Sequence, residues 1–274
     1  MTLYAEEHGP SDRPTIVFLH GGGGAGWMWR PQVEALSGEF HILVPDLPEH
    51  GRSMDAGPFT IARAVAGVAE LIRSRAHEGH AAVVGLSEGA QVTLALLASE
   101  PEIVDHAIVS SALVRKMPGA WMMTPGVAYW TFQLTAAPFK NNEWWMRANM
   151  HGAAGVPDEY VDDFRRTFRS ITAESFSHVI AENQAFRLPI GLDRVTAPVL
   201  AVCGHGEYDV MRRSTADVAV AIPGAQSREV FHTRKLSVAE EHNWNMTEPG
   251  LFNDMVRAWM TGADLPEGLM LPAL

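Results

Sequence analysis

The chain has 274 residues, one cysteine, 47% hydrophobic residues, and 21 Lys and Arg against 32 Asp and Glu, for a net charge of −11. The hydrophobic share excludes a disordered chain, the acidic balance argues against nucleic acid or an anionic membrane as partner, and one cysteine excludes an intramolecular disulfide or a multi-cysteine metal site. The first ten residues lack a basic start and an apolar run, and no stretch of about 18 uncharged apolar residues occurs, so a cytoplasmic protein without a membrane span is expected.

Apolar, β-branched runs alternate with runs of helical period. Thr15–Leu19 reads as a buried strand, followed by a short helix over Trp29–Leu36 and a second strand over Phe40–Val44. Ile61, Val65, Val68 and Ile72 recur at helical spacing within Thr60–Ala76. A third strand, Ala81–Val84, runs into a helix over Glu88–Ser99 that stops before Pro101. Further strands are predicted at Val104–Val109, Pro198–Cys203 and Arg228–His232, with a last helix containing Met255–Met260. Uniformly apolar strands alternating with helices predict an α/β fold: a mostly parallel central sheet covered by helices on both faces.

The alternation breaks between Arg115 and Ile190. That segment holds 12 of the 23 aromatic residues and has no strand run, so it reads as a helical lid (115–190) inserted into a core made of 1–114 and 191–274. Ligands of open α/β sheets bind at the carboxyl ends of the strands, where such an insertion would fold over them. Packing of the aromatics into the lid's own interior is the alternative.

Two glycine motifs carry the chemistry. Gly85-Leu86-Ser87-Glu88-Gly89 joins a strand directly to a helix. A turn with no loop forces its apex residue into a strained conformation and pushes Ser87 up beside a helix N-terminus, where partial positive charge favours a developing oxyanion. His20-Gly21-Gly22-Gly23-Gly24-Ala25-Gly26 follows the first predicted strand. Acyl transfer needs unobstructed backbone N–H donors at the oxyanion, which a glycine run allows; the lysine of a phosphate loop is missing.

With these motifs in this order, the chain resembles the α/β-hydrolase superfamily, and within it the lidded serine hydrolases (carboxylesterase-like). Asp46-Leu47-Pro48-Glu49-His50-Gly51-Arg52-Ser53 is similar to the family's D-x-P-G-H-G-x-S turn, with Glu49 in place of a glycine. Few residues precede Thr15, so one N-terminal strand of the full sheet is expected to be absent.

The resemblance implies the order serine, acid, histidine. Cys203-Gly204-His205-Gly206-Glu207-Tyr208-Asp209 follows the fifth predicted strand, and similarity to the family's G-x-x-D points to Asp209 as the acid, with Glu207 as its rival. The place after the preceding strand, where some relatives carry the acid, holds Ser110-Ser111-Ala112. His242, before Glu248-Pro249, resembles the family's base; His232 competes with it.

The resemblance thus implies a carboxylic ester hydrolase without cofactor or metal. Ser87, Asp209 and His242 would form the triad, with the N–H groups of Gly22 and Glu88 as oxyanion donors. Trp27, Trp29, Trp121, Trp130, Trp144 and Trp145 would line an apolar substrate pocket. The partner is a small-molecule ester, with no nucleic acid and no membrane, and the chain a monomer or homodimer. Two alternatives remain: the same triad acting on a diketone C–C bond, a lactone or a thioester, and a non-catalytic receptor on the same fold. The Glu88 side chain either complements the helix dipole or tunes the pocket electrostatically.

Overall fold

The computed structural model describes residues 2–272. Eight strands form one sheet: β1 (Ala5–His8), β2 (Thr15–Leu19), β3 (His41–Pro45), β4 (Ala81–Leu86), β5 (Val104–Ser110), β6 (Val199–Gly204), β7 (Gln226–Val230) and β8 (Leu269–Met270), in the order β1-β3-β2-β4-β5-β6-β7-β8. All neighbours pair parallel except the two edge pairs, β1 with β3 and β7 with β8. One strand, β1, precedes Thr15, and it was not among the strands predicted from the sequence. β1 reads Ala-Glu-Glu-His, and an edge strand with polar, half-exposed residues leaves no apolar run to detect.

Helices cover both faces: α1 (Arg30–Leu36), α2 (Ile61–Arg75), α3 (Glu88–Ser99), α8 (Asp209–Ala221), α9 (Val238–His242), α10 (Trp244–Thr247) and α11 (Pro249–Thr261). Between β5 and β6 the chain leaves the core for α4 (Pro125–Thr135), α5 (Glu143–Gly152), α6 (Val161–Ser170) and α7 (Ala173–Ala185). The strands are apolar throughout because each face meets its own core. In β2, Val17 and Leu19 pack with α2 residues Val65, Val68 and Ile72, while Ile16 and Phe18 pack with Trp29, Trp244 and Phe252 on the other side. Thr60 caps α2 by accepting from the Arg63 N–H at 3.1 Å. No helix among the described residues is long and apolar enough to cross a membrane.

Candidate active site

The site sits where β2, β4 and β6 end. Ser87 joins β4 to α3 at φ 56°, ψ −112°, a left-handed conformation that a non-glycine residue adopts only under constraint from its surroundings. The flanking glycines supply that constraint. A Cβ at Gly85 would stand 2.4 Å from Gly89 O, and one at Gly89 would stand 2.2 Å from Leu19 O, so the turn closes only without side chains there.

The glycine loop after β2 lies against this turn: a Cβ at Gly21 would touch Ser87 Cβ at 3.4 Å. Two neutral histidines hold the loop. His20 donates Nδ1–H to Gly21 O (2.9 Å) and accepts the Leu47 N–H at Nε2 (3.0 Å). His50 donates Nδ1–H to Pro48 O (2.9 Å) and accepts the Gly23 N–H at Nε2 (3.1 Å). Burial pushes His20 down to about 4, and burial with the neighbouring His20 pushes His50 down to about 3, so both accept at Nε2. Asp46 ties the two turns together, accepting from the Gly26 and Arg52 N–H groups at 2.7 Å each. Neither the Gly22 nor the Glu88 N–H is engaged in a turn or loop hydrogen bond among the described residues.

His242, the last residue of α9, donates Nδ1–H to Glu207 Oε2 at 2.7 Å. Glu207 is buried, and its other oxygen accepts from Ser111 Oγ (2.5 Å) and the Gly204 N–H (3.0 Å). Burial alone would raise the Glu207 pKa; His242, Ser111 and Gly204 outweigh it and hold the carboxylate below its usual range. Burial would lower His242, but the charge and hydrogen bond of Glu207 keep the ring above its usual value. With Nδ1 occupied, Nε2 is the nitrogen left to face Ser87. The two residues line one cavity of about 180 Å³, although no hydrogen bond joins Ser87 Oγ to the ring among the described residues. Such contacts are often long without substrate.

The alpha/beta hydrolase family profile matches residues 16–261. The chain belongs to this family. It is 28% identical to an AB hydrolase superfamily protein of Gibberella zeae, over 97% of this chain and 86% of the relative. Its hydrolase fold is also that of a thermophilic esterase from Thermogutta terrifontis, at 19% identity and TM-score 0.72 over 95% of this chain and 93% of the other. The enol-lactonase of Burkholderia xenovorans shares it at 20% identity and TM-score 0.71, over 94% and 96% of the two chains.

Within this hydrolase fold the expected partnership of Asp209 with His242 is corrected. Asp209 is the exposed first residue of α8, where it pairs with Arg213 at 2.8 Å, and Glu207 stands on His242 instead. The reason is register. Two glycines offer a G-x-x-acid pattern, and β6 ends at Gly204, not at Gly206, so the third residue onward is Glu207. Two residues later the chain has already turned into α8. Ser111, at φ 54°, stands at the alternative acid position named from the sequence, and its hydroxyl holds Glu207, a role the sequence reading did not assign it. Glu241 was also missed: it accepts the Gly206 N–H at 3.2 Å and lies 3.3 Å from His232 Nε2, so that His232 is buried against Glu241 and Trp244, outside the Ser87 cavity.

The tryptophans separate in the same way. Trp27 lines the cavity and donates Nε1–H to Thr167 Oγ1 of α6 at 2.9 Å. Trp29 is fully buried in the core between Phe18 and Phe252. Trp121, Trp130 and Trp144 are 82%, 61% and 74% exposed, and Trp145 packs on Phe139; none of these four lines the cavity. The insertion instead contributes Ala153, Ala154, Val156 and Phe164 to the wall, and Asn243, next to His242, donates to Ala154 O at 2.7 Å. A larger groove of about 730 Å³ between Trp27, Arg30, Arg52 and Thr167 contains none of Ser87, Glu207 and His242. Among the described residues, no group of three or more His, Cys, Asp or Glu is arranged to hold a metal ion.

Glu49, in the place of the family's glycine, has φ 60°, and its carboxylate accepts from the Phe59 N–H (2.7 Å) and from His178 of α7 (2.9 Å). The strain of that residue is compensated by two hydrogen bonds, one reaching the insertion. Removing the rings of Trp121, Trp130 or Trp144 one at a time with alanine is expected to change stability by about 0.5 kcal/mol or less and leave the ranking of substrates intact. Phe164→Ala is expected to change kcat/KM ratios between acyl lengths by about tenfold. The check is an acyl series measured beside thermal melting for each variant.

Proposed function

We propose that this protein is a serine hydrolase that cleaves small carboxylic esters through an acyl-enzyme on Ser87. The observation that carries the reading is the 2.7 Å bond from buried Glu207 to His242, with His242 and Ser87 facing one cavity. Ser87 Oγ attacks the ester carbonyl while His242 Nε2 takes its proton. Glu207 fixes the imidazole tautomer and stabilises the imidazolium as it forms. The Gly22 and Glu88 N–H groups, at the glycine loop and at the N-terminus of α3, receive the oxyanion. His242 then protonates the leaving alcohol and activates the water that releases the acyl group. The helices between β5 and β6 act as a lid that supplies one wall of the pocket.

A cavity of about 180 Å³ walled by Gly21–Gly24, Ala153, Ala154 and Val156 admits a short acyl group. It is well below the roughly 300 Å³ at the lower end of sites for drug-sized ligands. The test is a series of aryl esters of increasing acyl length beside a lactone and a vinylogous diketone. The highest kcat/KM is expected for the shortest acyl esters, falling by about tenfold or more once the chain exceeds the cavity. Turnover of the lactone or the diketone with no ester cleaved would move the reading to that electrophile. Binding of such compounds with no turnover would make the chain a receptor.

A further inference from the structure

The hydrolytic reading uses the backbone of Glu88 but leaves its side chain unexplained. That side chain is fully buried at the first position of α3, and neither carboxyl oxygen has a hydrogen-bond partner among the described residues. It sits directly behind the glycine loop: a Cβ at Gly22 would stand 3.1 Å from Glu88 Oε2 and 3.1 Å from Val179 of α7. The titratable groups near it come from two elements, the turn after β3 and α7. From the turn after β3, His50 Nε2 lies 3.6 Å from Glu88 Oε1, beyond hydrogen-bond range and already holding the Gly23 N–H, with the His20 ring tilted against it at 5.0 Å. From α7 comes Glu182, which accepts the Ile61 N–H. Among the described residues no Lys or Arg forms an ion pair with Glu88, and burial keeps the nearby His20 and His50 neutral.

An unpaired carboxylate in such a place is costly, and a buried acid without donors stays protonated instead. Burial, reinforced by the charge of Glu182, raises the Glu88 pKa well above the carboxylate range. We propose that Glu88 is a positioning residue that supports the glycine loop as the neutral acid, and that its ionisation shuts the site off at alkaline pH. This role rests on the serine-hydrolase reading. A negative charge behind Gly22 opposes the positive potential that the Gly22 and Glu88 N–H groups present to the oxyanion, and low local polarity magnifies that opposition. An ionised carboxylate with no donor of its own also competes for the uncommitted Gly22 N–H.

The experiment is the pH profile of kcat and KM for the wild type, Glu88→Gln and Glu88→Met, from about pH 6 to about pH 10, on a short aryl ester, with the rate of serine labelling by a fluorophosphonate and the melting temperature recorded at each pH. Within each variant the readout is the ratio of alkaline to neutral activity. In the wild type, kcat is expected to fall by about tenfold per pH unit once Glu88 ionises, with KM little changed, and the labelling rate is expected to fall with it. Both variants are expected to keep their plateau, and two variants guard against one that fails to fold. The melting temperature supplies an independent reading. The folded chain holds a proton that the unfolded chain releases above the usual carboxylate range, so stability is full in acid and declines as pH rises towards the raised value; the variants lack that decline. A wild-type plateau that persists to the alkaline end, or the same loss in all three proteins, overturns the role of Glu88 alone. A wild type that neither labels nor cleaves any ester overturns the hydrolytic reading and this role with it.

Discussion

Ser87→Ala is expected to abolish fluorophosphonate labelling and to lower ester turnover by roughly 10⁴ to 10⁶. The size follows from the position of the residue. Ser87 stands at φ 56° at the apex of the β4–α3 turn, next to the glycine loop and in the cavity that His242 lines. On the proposed mechanism, deleting its hydroxyl removes the nucleophile and leaves only binding and the proposed oxyanion donors, whose residual effect on a water attack is small by comparison. The backbone of the turn is set by Gly85 and Gly89, so alanine should fold like the wild type, and melting should show it. Retention of a tenth of wild-type turnover by the variant would remove Ser87 from the reaction.

The second large effect separates two neighbouring acids. Glu207→Gln is expected to lower kcat by about 10⁴, because a neutral amide can no longer stabilise the imidazolium and can present its N–H₂ to Nδ1, favouring the wrong tautomer. Asp209→Asn, at the exposed start of α8, should change kcat by less than about threefold. The pH dependence adds a sign. Glu207 holds the His242 pKa up against burial, so in Glu207→Gln the ring should fall below its wild-type value and the acid limb of the residual activity should move to lower pH. Activity profiles and melting curves for both variants decide the assignment; a large loss in Asp209→Asn with little in Glu207→Gln would reverse it.

Ser111 offers a smaller test of the same arrangement. Its hydroxyl donates to Glu207 Oε1 at 2.5 Å inside the protein, so Ser111→Ala strips one donor from a buried carboxylate. A loss of about 1–3 kcal/mol in stability at neutral pH is expected, read by denaturant unfolding.

Several features were legible in the residues themselves because they depend on neighbours along the chain. A strand such as Ile16-Val17-Phe18-Leu19 is apolar at every position only if both of its faces are covered, which already implies a parallel sheet between helical layers. Gly85 and Gly89 flank Ser87 because a strand that turns at once into a helix has no space for side chains beside its apex. The break in alternation after Arg115 marked the insertion.

Other features required the chain to be brought together in space. β1 is polar because it lies at an edge, and it is a strand only through its pairing with β3. The choice of Glu207 over Asp209 depended on the residue at which β6 ends and on the hydroxyl of Ser111, the residue after β5, 96 positions away in sequence. The large tryptophans of the insertion drew notice, yet three of them face outward and the cavity wall is made by Ala153, Ala154, Val156 and Phe164. Amphipathic spacing identifies which side of a helix is apolar, but it cannot say whether that side meets the cavity, the core or solvent. Glu88 illustrates the division most sharply: the sequence by itself determined that a carboxylate follows Ser87, while tertiary packing of α7 and the glycine loop decided that it is buried with no partner, which is what makes its protonation state matter.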